Sequence, residues 1–346
     1  MRFIGNKTQL LNNIKDVVDR HAKEAASFCD IFSGTAAVAR FFKEWYEVYS
    51  NDILYFSYCL QRGTIENPGR PSFDHLRELR GISDPIRYFN TFPLEEMECL
   101  ESSRRLFQNS YAPAGGRMYV TDANALRIDY ARNKIENWHD ERLLTDDEYY
   151  YLVASVIEGI PYVSNIAGTY GAYNKTWDPR SYKQFLLQDL PVVSNGRSNR
   201  SYNMDGAQLL QKISGDILYI DPPYNARQYL PNYHVLETAA KYDFPKLKGV
   251  TGQRADAPQR SEFCSKKTVV HAFDELMRHA RFRHIILSYN TDGLMTLDEI
   301  EMTMKKYGRE ESFEVNYIPY RRFKSRRDMI QEDELKEMLI YIQKDI

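Results

Sequence analysis

The sequence predicts an α/β fold broken by a mostly helical insertion. Three observations predict it: a strand, glycine turn, helix, strand and acid in succession before residue 62; buried-strand patterns that return after about residue 200; and a long stretch between them where the alternation is lost. A chain of 346 residues also exceeds the size at which one core usually stops growing, so an insertion or a second domain is expected.

Leu10, Leu11, Ile14, Val17 and Val18 recur at helical spacing, which predicts an amphipathic helix over 8–21. Phe28-Cys29-Asp30-Ile31-Phe32 reads as a short buried strand, Ser33-Gly34-Thr35 as a turn, and Ala36 to Trp45 as a helix. A second strand, Val48-Tyr49-Ser50, ends at Asn51-Asp52 and feeds a helix to about Arg62. From 63 to 199, Pro/Gly turns, charged helices and one long helical run, Glu148 to Ile160, mark the insertion, leaving 1–62 plus 200–346 as the α/β part. Further strands are predicted at Asp216–Ile220, Ile285–Ser288, Phe313–Tyr317 and Met338–Ile342. No helix separates the last two, so an antiparallel hairpin closing the sheet edge is expected.

Composition narrows the function. With a formal net charge of -2, contact with nucleic acid must come from local basic patches. The 26 Tyr and 17 Phe supply flat surfaces for a core or for base stacking. Cys29, Cys59, Cys99 and Cys264 lie far apart and the histidines form no ligand-spaced pair, which predicts neither a disulfide framework nor a metal site. The first residues lack an apolar signal region and no run of about 18 apolar residues occurs, so a cytoplasmic protein without membrane contact is expected.

Phe32-Ser33-Gly34-Thr35 sits where a strand meets a helix, so backbone amides and the positive helix end should face the occupant of the crevice. A carboxylate or phosphate would suit them. Asp52, at the end of the next strand, is placed to accept hydrogen bonds from ribose hydroxyls. Together these features describe an adenosine-containing ligand. Gly34 is followed by Thr-Ala-Ala-Val-Ala rather than by the glycines of a dinucleotide fingerprint, which disfavours NAD. S-adenosyl-L-methionine, having no pyrophosphate, is compatible with a single glycine turn.

Asp221-Pro222-Pro223-Tyr224 directly follows the strand Asp216–Ile220, at the strand end where open α/β sheets bind ligands. Each proline fixes its own φ and restricts the residue before it, so the Asp221 carboxylate and the Pro222 carbonyl become rigid acceptors. Two acceptors match the two hydrogens of an adenine amine and favour the partly positive nitrogen of a methyl-transfer transition state. Tyr224 offers a stacking face for a flipped base, worth about 1–3 kcal/mol.

These residues resemble the D12 class of adenine-specific DNA methyltransferases, which includes Dam enzymes and many restriction-modification methylases. Arg2-Phe3-Ile4-Gly5-Asn6-Lys7 looks like the family's N-terminal cofactor motif, Asp30 to Thr35 like its glycine motif, Asn51-Asp52 like its ribose acid, and Asp221 to Tyr224 like its catalytic motif. Asn203-Met204-Asp205 resembles the segment whose acid contacts the cofactor's adenine ring. The resemblance implies a Rossmann-like S-adenosylmethionine-dependent methyltransferase sheet, with Phe3 packed on the cofactor, Lys7 near cofactor and target, and Asp221 to Tyr224 holding the flipped adenine. It also implies that the insertion reads the DNA, as in the family's α group, and allows a cognate restriction endonuclease as partner. One departure is Ala36, where the family usually has a second glycine; its methyl is expected to tighten the approach to the cofactor.

For double-stranded DNA the sequence offers Tyr320-Arg321-Arg322-Phe323-Lys324-Ser325-Arg326-Arg327, a basic stretch interleaved with aromatics between the last two strands. Arg227 beside the catalytic motif, and Tyr173 and Lys175 within Asn165–Lys175, are further candidates, as is the stretch 241–267 with Lys246, Lys248, Arg254, Arg260, Lys266 and Lys267. Methylation of cytosine N4, or of adenine in RNA, stays open as a rival, because those amines are chemically alike.

Overall fold

Strands covered by helices on both faces must be apolar on both faces, and the centre of this sheet meets that demand. β1 (Ser27–Asp30) is buried at every position and pairs in parallel with β2 (Glu47–Asn51). β3 (Arg200–Tyr202) adds to the far side of β2, while β4 (Gly215–Ile220) pairs with the other side of β1 and β5 (Phe282–Asn290) with β4, all parallel. The edge strand β6 (Glu314–Pro319) pairs antiparallel with β7 (Lys336–Gln343), which pairs antiparallel with β5, completing the order β3-β2-β1-β4-β5-β7-β6. This computed structural model describes residues 7–256, 261–319 and 336–345.

The C-terminal pair is antiparallel, as the sequence predicts, but the later strand lies inward. Its run Glu337–Ile342 is buried throughout, whereas the described side chains of β6 stay partly open, so the more apolar strand takes the covered position. β3 escapes sequence reading, because three residues carry no periodic signal.

α1 (Leu11–His21) turns Ile14, Val17 and Val18 inward, and with α2 (Ala37–Phe42) it covers one face of the sheet. α3 (Tyr55–Gln61) runs on into a π-helical turn over Arg62–Glu66. The long crossover from β2 to β3 follows. It contains α4 (Asp74–Arg80), α5 (Pro85–Thr91), α6 (Leu94–Met97), α7 (Leu106–Tyr111), α8 (Asp122–Asp140) and α9 (Asp146–Val163). α9 starts at a capping box between Thr145 and Glu148, so the run read from Glu148 begins two residues earlier. After β3 come α10 (Gly206–Leu210), α11 (Tyr229–Lys241), α12 (Val269–His279) and α13 (Leu297–Tyr307); α10, α12 and α13 cover the second face.

The crossover helices share one apolar cluster with α3 and α11, in which Phe56, Leu60, Tyr151, Ile157, Tyr233 and Leu236 are all buried. Polar ties cross the same boundary. Arg132 of α8 donates from Nε to the Ala239 carbonyl at 2.8 Å, and Tyr242 donates to Asp129 at 2.7 Å. Glu237 of α11 caps α3 from outside, accepting from the N–H groups of Tyr55 (3.2 Å) and Phe56 (3.0 Å), where Leu54 at the N-cap supplies no side-chain acceptor. Glu237→Ala orphans both donors in a buried setting, so urea unfolding should show a loss of about 1–3 kcal/mol, and an unchanged midpoint would remove the capping role.

Candidate active site

Strand order reverses between β1 and β4, and the crevice at a switch point of this kind is where open α/β sheets bind ligands. Asp30 ends β1 opposite Tyr219, and Asp221 lies just beyond the end of β4, so adjacent strands deliver two carboxyls to one crevice. A cavity of about 620 Å³ opens there. Its lining includes Lys7, Asp30, Phe32, Ser33, Gly34, Thr35, Asn51, Asp52, Asp205 and Asp221, ten of the residues singled out from sequence.

Gly34 adopts φ 51° and Ala36 φ 59°, so the turn from β1 into α2 passes through the left-handed region twice. Three of its amides are committed within the protein rather than open to an anion. The N–H of Ser33 donates to the Asn51 carbonyl (2.8 Å), that of Gly34 to Asp52 Oδ2 (2.9 Å), and that of Ala36 to the Ser33 carbonyl (2.7 Å). The end of β2 takes two of these donors and the turn itself takes the third, so none of the three is left unpaired. The lining is also acidic, with Asp30, Asp52, Asp205, Asp221, Glu262 and Glu275 facing Lys7 as the only basic residue among the described lining residues. Such a cavity favours a cationic ligand over a phosphate. The expectation for Ala36 is corrected too: it is fully buried in the cluster under α1 and α2, and it is not among the residues lining the cavity.

Each acid is held differently. Burial pushes the Asp30 carboxyl up to about 8, reinforced by the charge of Asp221, and Oδ1 has no hydrogen-bond partner among the described residues. Burial pushes Asp52 up to about 6, against the pull of the Leu54 and Gly34 N–H groups that bind it. Asp205 is exposed and caps α10 through the N–H of Gln208. Asn51 lines the cavity, yet its amide is committed to backbone, donating to the carbonyls of Ile31 and Met204 and accepting from the Met204 N–H. It ties β1, β2 and the segment after β3 together.

Burial raises Asp221 to about 7, opposed by Lys7 and reinforced by Glu337. Lys7 Nζ lies 3.2 Å from Asp221 Oδ1, hydrogen-bonds Glu337 Oε1, and stands 5.6 Å from the centroid of the Tyr224 ring. Burial would lower the Lys7 ammonium, but the Asp221 and Glu337 carboxylates more than offset that and hold it above the usual lysine range. Asp221 keeps 16 % of its side chain exposed against 5 % for Lys7, so the carboxylate is the partner that a ligand can reach. Pro222 is buried, and Tyr224 is braced edge-on by Tyr289 at 6.3 Å.

The residues expected to meet DNA are more scattered. Arg227 and Lys175 are exposed, whereas Tyr173 is half-buried, edge-on to Tyr119 at 5.0 Å. The loop carrying Tyr173 reaches the start of α11 through the Tyr170 N–H, which donates to the Asn232 carbonyl. Arg254 belongs to the interior: it is buried and bonded to Asp243 and Asp256 at 2.6 and 2.8 Å, so a basic residue in a turn-rich stretch serves as an internal tie. Phe3, Gly5, Arg260, Arg321, Arg322, Lys324, Arg326 and Arg327 lie outside the described residues. Sequence reading missed Phe263, which meets Phe32 edge-on at 5.3 Å on the cavity wall, along with Ile53 and Glu337. Ile53 adjoins Asp52 and was within reach of sequence; the others enter only by tertiary contact.

The fold is that of a Rossmann-like methyltransferase. The chain belongs to the D12 class of N6 adenine-specific DNA methyltransferases, whose family model matches residues 3–303. It is 45% identical to the type II methyltransferase M.FokI of Planomicrobium okeanokoites, across 100% of this chain and 53% of that protein. It is 40% identical to the modification methylase StsI of Streptococcus sanguinis, across 99% of this chain and 52% of that one. The chain thus spans about half the length of these two relatives. With the type II methyltransferase M.NlaIII of Neisseria lactamica it shares 37% identity, across 94% of this chain and 93% of the relative.

Asp30 gives a pH test. Its folded value near 8 lies above that of an ordinary carboxyl, so the folded state binds the proton more tightly, and stability present at low pH is lost as pH rises through about 8. Asp30→Asn removes that loss, so its melting temperature should exceed that of the ligand-free parent by more at pH 8 than at pH 5. An equal difference at both pH values would refute the buried-charge account.

Proposed function

We propose that the chain transfers a methyl group from S-adenosyl-L-methionine to N6 of an adenine extruded from double-stranded DNA, as the modification enzyme of a restriction-modification system. The observation that carries this reading is Asp221: a proline-locked carboxylate at the end of β4, open to an acidic cavity beside Lys7. Family membership supports the reaction, and the names of the relatives support a cognate restriction endonuclease as partner.

The cavity suits this cofactor. A volume of about 620 Å³ is within the range of small-molecule sites. The excess of carboxyls suits a ligand carrying an ammonium and a sulfonium, and Asp30 Oδ1 is a buried acceptor without a donor among the described residues. Asp30 would hold the ammonium, Asp52 the ribose hydroxyls and Asp205 the adenine edge, with Phe32 and Phe263 as an apolar wall. When bound, the cofactor supplies an electrophilic methyl on a positively charged sulfur.

The chain's own part is to present the amine. The Asp221 carboxylate and the Pro222 carbonyl accept its two N–H groups and draw its lone pair toward the cofactor side, and they stabilise the positive charge that grows on nitrogen. Lys7 keeps Asp221 in one orientation. Tyr224 stacks on the flipped base, and Tyr289 fixes its ring. The proton lost from the methylated amine passes to Asp221 or to water.

We assign residues 63–199 to DNA reading, with Tyr173, Lys175 and Arg227 beside the site and the basic stretch 320–327 gripping phosphates. Among the described residues no helix is long and apolar enough to cross a membrane, and the cytoplasm, where chromosomal DNA is reached, is the proposed compartment.

Asp221→Ala should abolish adenine methylation, a loss of about a hundredfold or more, while a DNA-binding assay stays near the parent value; normal turnover would sink the assignment. Ala36→Gly should leave S-adenosylhomocysteine affinity within about twofold in calorimetry, since that methyl is packed in the core.

A further inference from the structure

Glu337 was not anticipated from sequence, and it does not line the cavity. It stands behind Lys7 as the first buried residue of β7, with 3 % of its side chain exposed. One oxygen, Oε1, accepts both from Lys7 Nζ and from Ser288 Oγ of β5, the latter at 2.8 Å. Lys7 reaches Asp221 from this anchor, so the chain of contacts runs Ser288, Glu337, Lys7, Asp221, from the sheet interior to the cavity.

The charges give the arrangement its chemical meaning. Lys7 and Asp221 alone form a neutral pair, and a neutral pair is a weak attractor for the positive charge that grows on an amine during methylation. A second carboxylate on the same ammonium leaves the trio net anionic and draws the Lys7 charge away from the cavity. Among the described residues the other groups facing Asp221 include Asp30 from β1, Tyr219 from β4, Tyr224 in the turn and Tyr229 from α11, and none of these is a cation.

We propose that Glu337 is a positioning residue for methyl transfer, holding Lys7 so that it orients Asp221 while the cluster keeps a net negative charge. This rests on the methyltransferase reading above. Glu337 touches neither cofactor nor base and acts through Lys7.

Glu337→Gln keeps the shape and an acceptor but removes the charge. In the chain assayed with S-adenosylmethionine and methylatable duplex DNA, the single-turnover rate at the pH optimum should fall roughly tenfold or more, with the KM values for DNA and cofactor unchanged. The acid limb of the rate should move to lower pH at the same time, because the anion that helps raise Asp221 is gone. The same downward movement should appear without cofactor, as a carbon-13 titration of the Asp221 carboxyl, assigned by its absence in Asp221→Asn. A limb that stays in place, or an unchanged rate, overturns the proposal. Ser288→Ala removes one donor and keeps the charge, so it should slow turnover several-fold with the acid limb unmoved. Should Glu337→Gln not fold, that variant decides, and an unchanged rate in it overturns the proposal. If the parent chain methylates no DNA, the methyltransferase reading fails first, which is a different outcome from an active parent with an indifferent Glu337.

Discussion

A buried ammonium is tolerable only when anions surround it, and Lys7 meets that condition by joining three distant parts of the chain: the N-terminal segment, the end of β4 and the start of β7. The price of leaving such a group unpaired is several kcal/mol, so each carboxylate is needed to keep the others in place. Asp221 acquires a fixed orientation from this contact, which a free side chain at a strand end would lack. The crevice geometry therefore depends on a charge that is almost wholly withdrawn from solvent.

The acids of the cavity extend the same logic. Asp30, Asp52 and Asp221 are all raised by burial, so in the ligand-free chain they are reluctant anions packed close together. A site of this kind is destabilising until a cation enters it, and binding a cationic ligand then relieves the repulsion. In the glycine turn the amides of Ser33, Gly34 and Ala36 are tied to Asn51, Asp52 and Ser33.

The crossover helices are joined to α3 and α11 by shared burial and by buried polar ties. Glu237 caps α3 from α11, and Arg132 of α8 bonds the carbonyls at the end of α11. α11 begins within a few residues of Tyr224, so a displacement of these helices would be felt at that turn.

The sequence alone determined the elements whose signal is local. The α1 periodicity, the buried strands on either side of the glycine turn, and the Asp-Pro-Pro-Tyr run after β4 are written in neighbouring residues, and the D12 resemblance rests on those same motifs. Tertiary structure decided the rest. It placed β7 inside β6, recruited the three-residue β3, took Arg254 into the interior, turned the Ala36 methyl into the core, and set Glu337 against Lys7 across 330 residues of sequence. Periodicity reports which face of an element is apolar, but not which distant charge will meet it there, because that pairing is fixed only when the sheet closes and water is excluded.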